Sequence, residues 1–295
     1  MRYRCKECKA ERLGLKQLLS ILVLLTSSWK CVADAESTTE KALLIGVVPQ
    51  FNTLQIQDIW IPIIDAVGDL AETRLSLQAS PDIPTFEQQF ATGVFDLAYM
   101  NPYHAIKAES SQGYLPILRD TQSTLIGIIV VRSDSTISGL PELDRKQIAM
   151  PSANALGAAL MPRAFLDREI GVHPVYKYVK SHDSVYLNVA LGKADAGGGI
   201  LSTYQVQNRD IRGKLKLLHQ FQAVPTHPIV AHPRLGNNLI SRLQKAFIEF
   251  STTDEGQRLL SAIPIHSLGP TSKTEYNGLK AMKLEQYYEV DRTHR

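Results

Sequence analysis

Beyond residue 31 the chain contains no cysteine. Cys5, Cys8 and Cys31 all precede residue 36, so disulfides and thiol nucleophiles are excluded from everything downstream. Cys5-x-x-Cys8 has no second pair with which to complete a tetrahedral zinc site. Excess charge of one sign is also missing. Of 32 Lys/Arg and 29 Asp/Glu, seven and three fall in residues 1–35, which leaves 25 against 26. A chain so balanced offers no basic face to nucleic acid. There is no apolar run of the ~20 residues that a membrane-spanning helix needs. G-x-S-x-G, H-E-x-x-H, the P-loop and G-x-G-x-x-G are all lacking, and the eight histidines show no zinc-ligand spacing. Ser152, His182 and Asp195 can be imagined as a triad, but nothing in their spacing demands one. The expectation is a protein with no catalytic residues, no metal and no cofactor.

What is present begins with a leader. "MRYRCKECKAERLGLKQ" is basic, "LLSILVLL" is a short apolar run, and Ala33-Asp34-Ala35 supplies the small-x-small pattern of a cleavage site. Residues 1–35 therefore read as a secretory signal peptide. Trp29 and Lys30 ahead of Cys31 do not make a lipobox. A cysteine-free exported chain fits the periplasm, with the mature protein starting at Glu36 and expected to be a monomer. With 44% hydrophobic and 21% charged residues, the remainder has an ordinary globular composition.

From residue 41 onward, apolar β-rich runs alternate with helical patterns, which predicts α/β architecture. "ALLIGVV" reads as a buried strand and "TLQIQDIWIPIIDAVGDLAE" as the helix after it. The strands "RLSLQAS", "DLAYM", "YLPILRD" and "TLIGIIVVRS" follow. After residue 139 the same grammar restarts, with strands at 147–150, 175–180, 194–198 and 214–219. Helices are expected from about 155 and over 182–192 and 200–208. Pro162 falls inside one of them and should kink or reset it. "HPIVAHP" is a further β-like run. Beyond it Leu239, Leu243, Phe247 and Phe250 share a helical face, and Thr252-Thr253-Asp254-Glu255 matches a capping box. The pattern predicts one lobe built from 36–130 and 225–295 and a second from 131–224, with two crossings near 127–133 and 221–229.

Polar groups cluster where strands should end and helices begin, the place where open α/β sheets bind ligands. "FDLAYMNPYHA" supplies Tyr99, Asn101, Tyr103 and His104; "VKSHDSVYLNVALG" supplies Ser181, His182, Asp183 and Ser184. For the two tyrosines, core packing is an equal alternative, and for His182 a ring in solvent. "KADAGGGILSTY" carries three glycines, read as a tight turn rather than a phosphate cradle. "IAMPSANALGAALMPRAFL" runs from a strand through a bare turn into a helix. Unpaired amides at such a helix start can hold an anion, and small residues there can equally serve close packing. Asn154 sits where an N-cap would sit.

In this order and at these intervals, "IGVVPQ", "FDLAYMNPYHA", "GIIVVRSDS", "IAMPSANALGAALMPRAFL", "SHDSVYLNVALGKADAGGG" and "TTDEGQRLL" resemble the phosphate, phosphite and phosphonate-type substrate-binding proteins of ABC transporters. The resemblance spans about residues 41 to 265. It implies a type II periplasmic-binding architecture: two α/β lobes, each a mixed sheet flanked by helices, two crossovers, and a ligand cleft between the lobes. Carried over by residue, Tyr99 and Tyr103 match the first-lobe segment that faces the cleft. Ser152, Ala153, Asn154 and Ala155 match the anion-holding helix start, His182 the cleft histidine, and Asp195 and Gly198 the next strand end. The family's Ser-Thr-Ser-Gly run is replaced by Ser-Ala-Asn-Ala, which leaves backbone amides, Ser152 and Asn154 as donors. Asn101 and Ser184 complete the expected ligand set, and protonation of His182 is expected to be linked to binding. The implied function is capture of a small anion, phosphonate-like, phosphate-like or another oxyanion, for an ABC permease. The alternative is a ligand-sensing module that passes occupancy to a separate membrane sensor protein.

Overall fold

In the computed structural model, described for residues 41–289 apart from residue 264, the first buried run is strand β1 (Leu43–Val47). Helix α1 (Thr53–Leu70) follows, capped by the Asn52 side chain, and it buries Ile56, Ile59, Trp60, Ile63, Ile64 and Val67 along one stripe. Next come β2 (Leu75–Gln78), α2 (Ile83–Ala91) capped by Asp82, and β3 (Leu97–Tyr99). Helix α3 (Pro102–Gln112) starts on the Asn101 cap with Pro102 in its first turn, and β4 (Leu115–Asp120) follows its glycine end.

The chain then enters a second sheet. It contributes β5 (Gly127–Arg132), β6 (Gln147–Met150), β7 (Val175–Tyr178), β8 (Ala196–Ile200) and β9 (Leu215–Gln220). Between β6 and β7 runs one continuous helix in three windings. Leu156–Leu160 and Leu166–Ile170 are π-wound, and α4 (Met161–Phe165) lies between them. Pro162 sits in the first turn of α4, where its missing N–H is tolerated. The expected reset is therefore met by a change of winding rather than by a break. Helix α5 (His182–Ala190) joins β7 to β8; the short α6 (Leu201–Gln205) and α7 (Arg209–Arg212) lead to β9.

The chain returns to the first sheet as β10 (Pro228–Ala231) and ends in α8 (Gly236–Ser251), α9 (Asp254–Ser261), β11 (Leu268–Pro270) and α10 (Asn277–Ala281). Leu243, Phe247 and Phe250 are buried on one face of α8, and the Thr253 hydroxyl caps α9.

The two sheets share one plan. In the first the order is β11-β4-β10-β3-β1-β2, and in the second β7-β6-β8-β5-β9. Each has parallel strands on one side and an antiparallel strand, β10 or β5, that arrives from the other lobe; the first sheet adds β11, antiparallel to β4 at its edge. Both incoming strands carry a register shift, at Ile229/Val230 and at Ile129/Val130. This is the expected two-lobed architecture, a mixed sheet flanked by helices in each half.

Three details differ from the sequence reading. β5 lies wholly in the second sheet, so the first crossing precedes residue 127, where Leu125 bridges Val224 of the returning strand. The glycines 197–199 lie inside β8, paired with β5, and form no turn. The C-terminal residues do not stay on the first lobe. Residues 282–289 reach the second, where Arg168 donates to the Met282 carbonyl (3.0 Å) and pairs of Asn154, Arg163 and Tyr178 engage Glu289. Residues 1–40, with the leader, lie outside the described residues. No helix among the described residues is long and apolar enough to cross a membrane.

Candidate functional site

The carboxyl ends of β1, β3, β6 and β8 face one another across the lobes. Gln50, just beyond β1, sits at the centre of this arrangement. Its backbone carbonyl accepts from the amide of His182 on the opposite lobe (3.2 Å), and its side-chain amide meets His227 Nε2 at 3.0 Å. His227 in turn stacks on Tyr99, with ring centroids 5.4 Å apart. Asn101 does two jobs. Its carbonyl oxygen caps α3 by accepting from Tyr103 N and His104 N, and its amide donates to the Asn154 carbonyl across the cleft (3.3 Å).

On the second lobe the helix after β6 points its first turn at this centre. Ala155 is the cap residue and makes no side-chain cap, while the amides of Ala159 and Leu160 both donate to the Ala155 carbonyl (2.7 and 3.1 Å). The amides of 156–158 precede these first intrahelical donors, so the helix itself provides them no acceptor. Leu156, Gly157 and Ala158 line a central cavity of about 20 Å³ with Gln50, Asn101, His182 and His227. An adjoining cavity of about 130 Å³ adds Phe51, Tyr99, Ser123, Thr124, Thr203 and Ile265.

The helix start is held at this depth by glycine. A Cβ on Gly198 would lie 2.0 Å from the Ala158 carbonyl oxygen, so β8 and the helix touch backbone to backbone. Pro162 helps, because it cannot donate to that carbonyl from four residues on.

The two histidines of the centre are uncharged. Burial pushes His182 down to about 4 and His227 down to about 3, the latter helped by the nearby rings of His182 and His104. His182 Nδ1 meets the Thr203 hydroxyl at 3.1 Å, and Thr203 is bonded to the Tyr186 hydroxyl at 2.9 Å. Among the described residues lining the two cavities there is no Lys or Arg. The single acid, Asp120, accepts from the backbone amides of Gln122, His266 and Ser267. No cluster of three metal-ligating side chains occurs among the described residues.

The anticipated site residues separate into three groups. Tyr99, Asn101, Ala155 and His182 line the two cavities. Ser152, Ala153 and Asn154 line an outer cavity of about 460 Å³ with Asp82, Glu87, Tyr178, Lys180 and Glu289. Tyr103, Ser184 and Gly198 line none of the three: Tyr103 donates to Glu285 (2.6 Å), Ser184 accepts from the Ser181 hydroxyl (3.0 Å), and Gly198 packs on the helix.

Two expectations about these residues are corrected. Asn154 is not the N-cap: Ala155 holds that position, and Asn154 Oδ1, the atom a cap would use, accepts from the Glu289 amide (2.9 Å). His182 is not poised as an imidazolium, because it is buried without an acidic partner. Sequence reasoning missed Gln50, Thr203 and His227. Gln50 lay in plain view at the end of the "IGVVPQ" strand, whereas nothing local marks His227.

Comparisons with known proteins agree with the two-lobed architecture. The family model described as the periplasmic phosphonate substrate-binding protein of ABC transporters matches residues 45–276. A binding protein component of an ABC phosphonate transporter from Pseudomonas aeruginosa superposes with a TM-score of 0.75 at 13% identity, covering 83% of this chain and 87% of that one. PhnD1 from Prochlorococcus marinus, in complex with methylphosphonate, gives a TM-score of 0.75 at 16% identity, covering 83% and 98%. A Xanthomonas citri protein bound to ATP gives 0.68 at 17% identity, covering 84% and 99%. At these identities the structural likeness speaks to the fold.

Proposed function

Because the chain belongs to the periplasmic phosphonate substrate-binding family of ABC transporters, a family of carriers rather than enzymes, we propose that its cleft captures one small oxyanion, phosphonate-like or phosphate-like, for a membrane permease. The observation that carries this reading is the set of neutral donors converging on the central cavity: the amides of 156–158, the Gln50 and Asn101 side chains, and two uncharged histidines. Preoriented dipoles in a desolvated pocket suit a compact anion whose charge is spread over several oxygens. Such donors select by size and hydrogen-bond count, since no Lys or Arg stands among the described lining residues. The adjoining cavity, with Phe51 and Ile265, offers room for a small substituent.

The lobes that close on the ligand are proposed as 41–126 with 225–281, and 127–224. Export is proposed to follow cleavage before Glu36. The test begins with native mass spectrometry of protein purified from periplasm, followed by a thermal-shift panel of phosphate, phosphite, methylphosphonate, sulfur oxyanions and carboxylates. An oxyanion at one hundred times its Kd should stabilise the fold by about 2.7 kcal/mol. A panel in which only carboxylates raise Tm would overturn the phosphonate-like assignment.

A further inference from the structure

Two residues expected to touch ligand, Tyr103 and Asn154, are instead occupied by the C-terminal segment. Up to α10 the chain is held on the first lobe, where Tyr276 donates to the Thr226 carbonyl (3.3 Å) and Leu279 is buried; Leu284 then lies beside Met161, Ala164 and Phe165 of the second lobe. Glu285 then receives the Tyr103 hydroxyl and the Lys107 ammonium, each at 2.6 Å. The Tyr288 ring lies 5.7 Å from that of Tyr103, with Lys107 Nζ 4.6 Å above it. All of these partners stand on α3.

Within the same eight residues the segment also engages the second lobe. Tyr287 donates to Asp167, and the Arg168 guanidinium lies over the Tyr287 ring at 5.6 Å. Arg163 pairs with the Glu289 carboxylate at 2.7 Å, and Tyr178 donates to it at 3.1 Å. Most specific is the reciprocal pair with Asn154. Its side-chain amide donates to the Glu289 carbonyl (2.7 Å) while its oxygen accepts from the Glu289 amide (2.9 Å), as a strand neighbour would. Asn154 also donates to the buried carboxylate of Glu87 on the first lobe (2.9 Å). That carboxylate is held from behind by His104 at 2.9 Å.

These contacts cannot all survive separation of the lobes. The segment is fixed to both sides of the cleft, so opening must strip it from one of them. The Glu285 and Glu289 side chains are more than half exposed, so the contacts are individually weak and exchangeable rather than a permanent weld. We propose that residues 282–289 are a latch that ties the lobes together and sets the equilibrium between the open and closed cleft before any ligand arrives. A latch that favours closure raises the population of the binding-competent arrangement and lowers the rate at which captured ligand escapes. This inference does not depend on which anion is bound.

The test uses the mature chain, which lacks cysteine, labelled with spin probes at Leu70→Cys on α1 and Leu187→Cys on α5, two exposed sites on opposite lobes. Electron–electron distances are measured without ligand in the full chain and in one terminated after Gln286, which keeps Leu284 and Glu285. The longer-distance fraction should rise about tenfold in the shortened chain, a change of about 1.4 kcal/mol in the opening equilibrium. Should the shortened chain fail to fold by circular dichroism, Arg163→Met with Tyr178→Phe in the full chain should give a smaller shift in the same direction. Distance distributions identical to those of the full chain, in whichever variant folds, would overturn the latch. A full chain that is already open without ligand would overturn it as well.

Discussion

Gly198 and Ala158 touch backbone to backbone: a Cβ on the glycine would lie 2.0 Å from the Ala158 carbonyl oxygen. The oxygen belongs to the first turn of the helix whose amides face the cleft, so one contact joins fold stability to the geometry of the site. Gly198→Ala must push helix and strand apart. Overpacking of this kind costs about 1–3 kcal/mol. The variant should melt several degrees lower by circular dichroism, and its response to the best oxyanion of the panel should weaken. An unchanged Tm would mean that the helix start can shift freely.

The buried histidines predict how stability depends on pH. Burial holds His182 at about 4 and His227 at about 3, against 6.5 for a free imidazole. Their folded-state values are depressed, so the unfolded chain binds more protons between those limits. The stabilisation is fully present above pH 6.5 and is lost as pH falls toward the two lowered values. Urea unfolding at pH 7 and pH 5 should therefore show a larger loss for the wild type than for His182→Gln. Equal losses would place the ring in water.

Gln50 and His227 are each other's hydrogen-bond partners inside the cleft. Gln50→Met preserves bulk and removes the amide, leaving His227 Nε2 buried without a donor or acceptor, at a cost of about 1–3 kcal/mol. His227→Phe keeps the stack on Tyr99 but loses the same bond. Both variants should weaken oxyanion binding measured by calorimetry, Gln50→Met the more so, since it also removes a donor facing the cavity. Wild-type affinity in both would take this pair out of the proposed site.

Asp120 gathers three backbone amides, those of Gln122, His266 and Ser267, at the end of β4. It lies in the wall of the larger central cavity, yet its role is to hold the segments that form that wall. Hydrogen bonds to a charged acceptor are worth about 1.5–3 kcal/mol each. Asp120→Asn retains one acceptor oxygen and should lose part of that, visible as a lower urea midpoint with an unchanged slope. A midpoint equal to the wild type would show that the amides find water instead.

Glu285 adds an acid limit to the latch. Burial alone would raise its carboxyl, but hydrogen bonds from Lys107 and Tyr103 outweigh that and hold it below the usual 4.5. Its contribution is therefore complete above pH 4.5 and disappears as pH falls through the lowered value. The distance measurement between lobes, repeated down to pH 3.5, should show the longer-distance fraction growing only in that range. Glu285→Gln should reduce the dependence, leaving the part carried by the Glu289 carboxylate on Arg163 and by Asp167 beneath Tyr287.

The alternation of apolar runs was enough to read an α/β chain with a restart, because strand and helix periods are local properties. β1, β6, α5 and the buried face of α8 lie within a few residues of their predicted places. What the residues 197–199 would do was not readable. Three glycines in a row look like a turn until β5 is known to pair with them and Val185, Tyr186 and the Ala158 carbonyl are known to press on them. Asn154 was misjudged for a similar reason. Its position before a helix predicts a cap, but the backbone amide of Glu289, 135 residues away, takes the side-chain oxygen a cap would use. His227 could be marked only by a contact with Gln50 across 177 residues. Interactions of this range leave no trace in spacing.

The absence of Lys and Arg from the two central cavities has a consequence for the kinetics of capture. With no Lys or Arg among the described residues lining them, and 25 basic against 26 acidic residues beyond residue 35, these cavities would draw in the proposed anion with little steering. Ionic screening then has little to act on, since its effect falls on interactions between exposed charges. Association rates measured by stopped flow should stay nearly level from dilute buffer to physiological salt, where a cation-lined receptor would slow steeply. Capture by such a cleft would be paced by diffusion and lobe motion rather than by ionic strength.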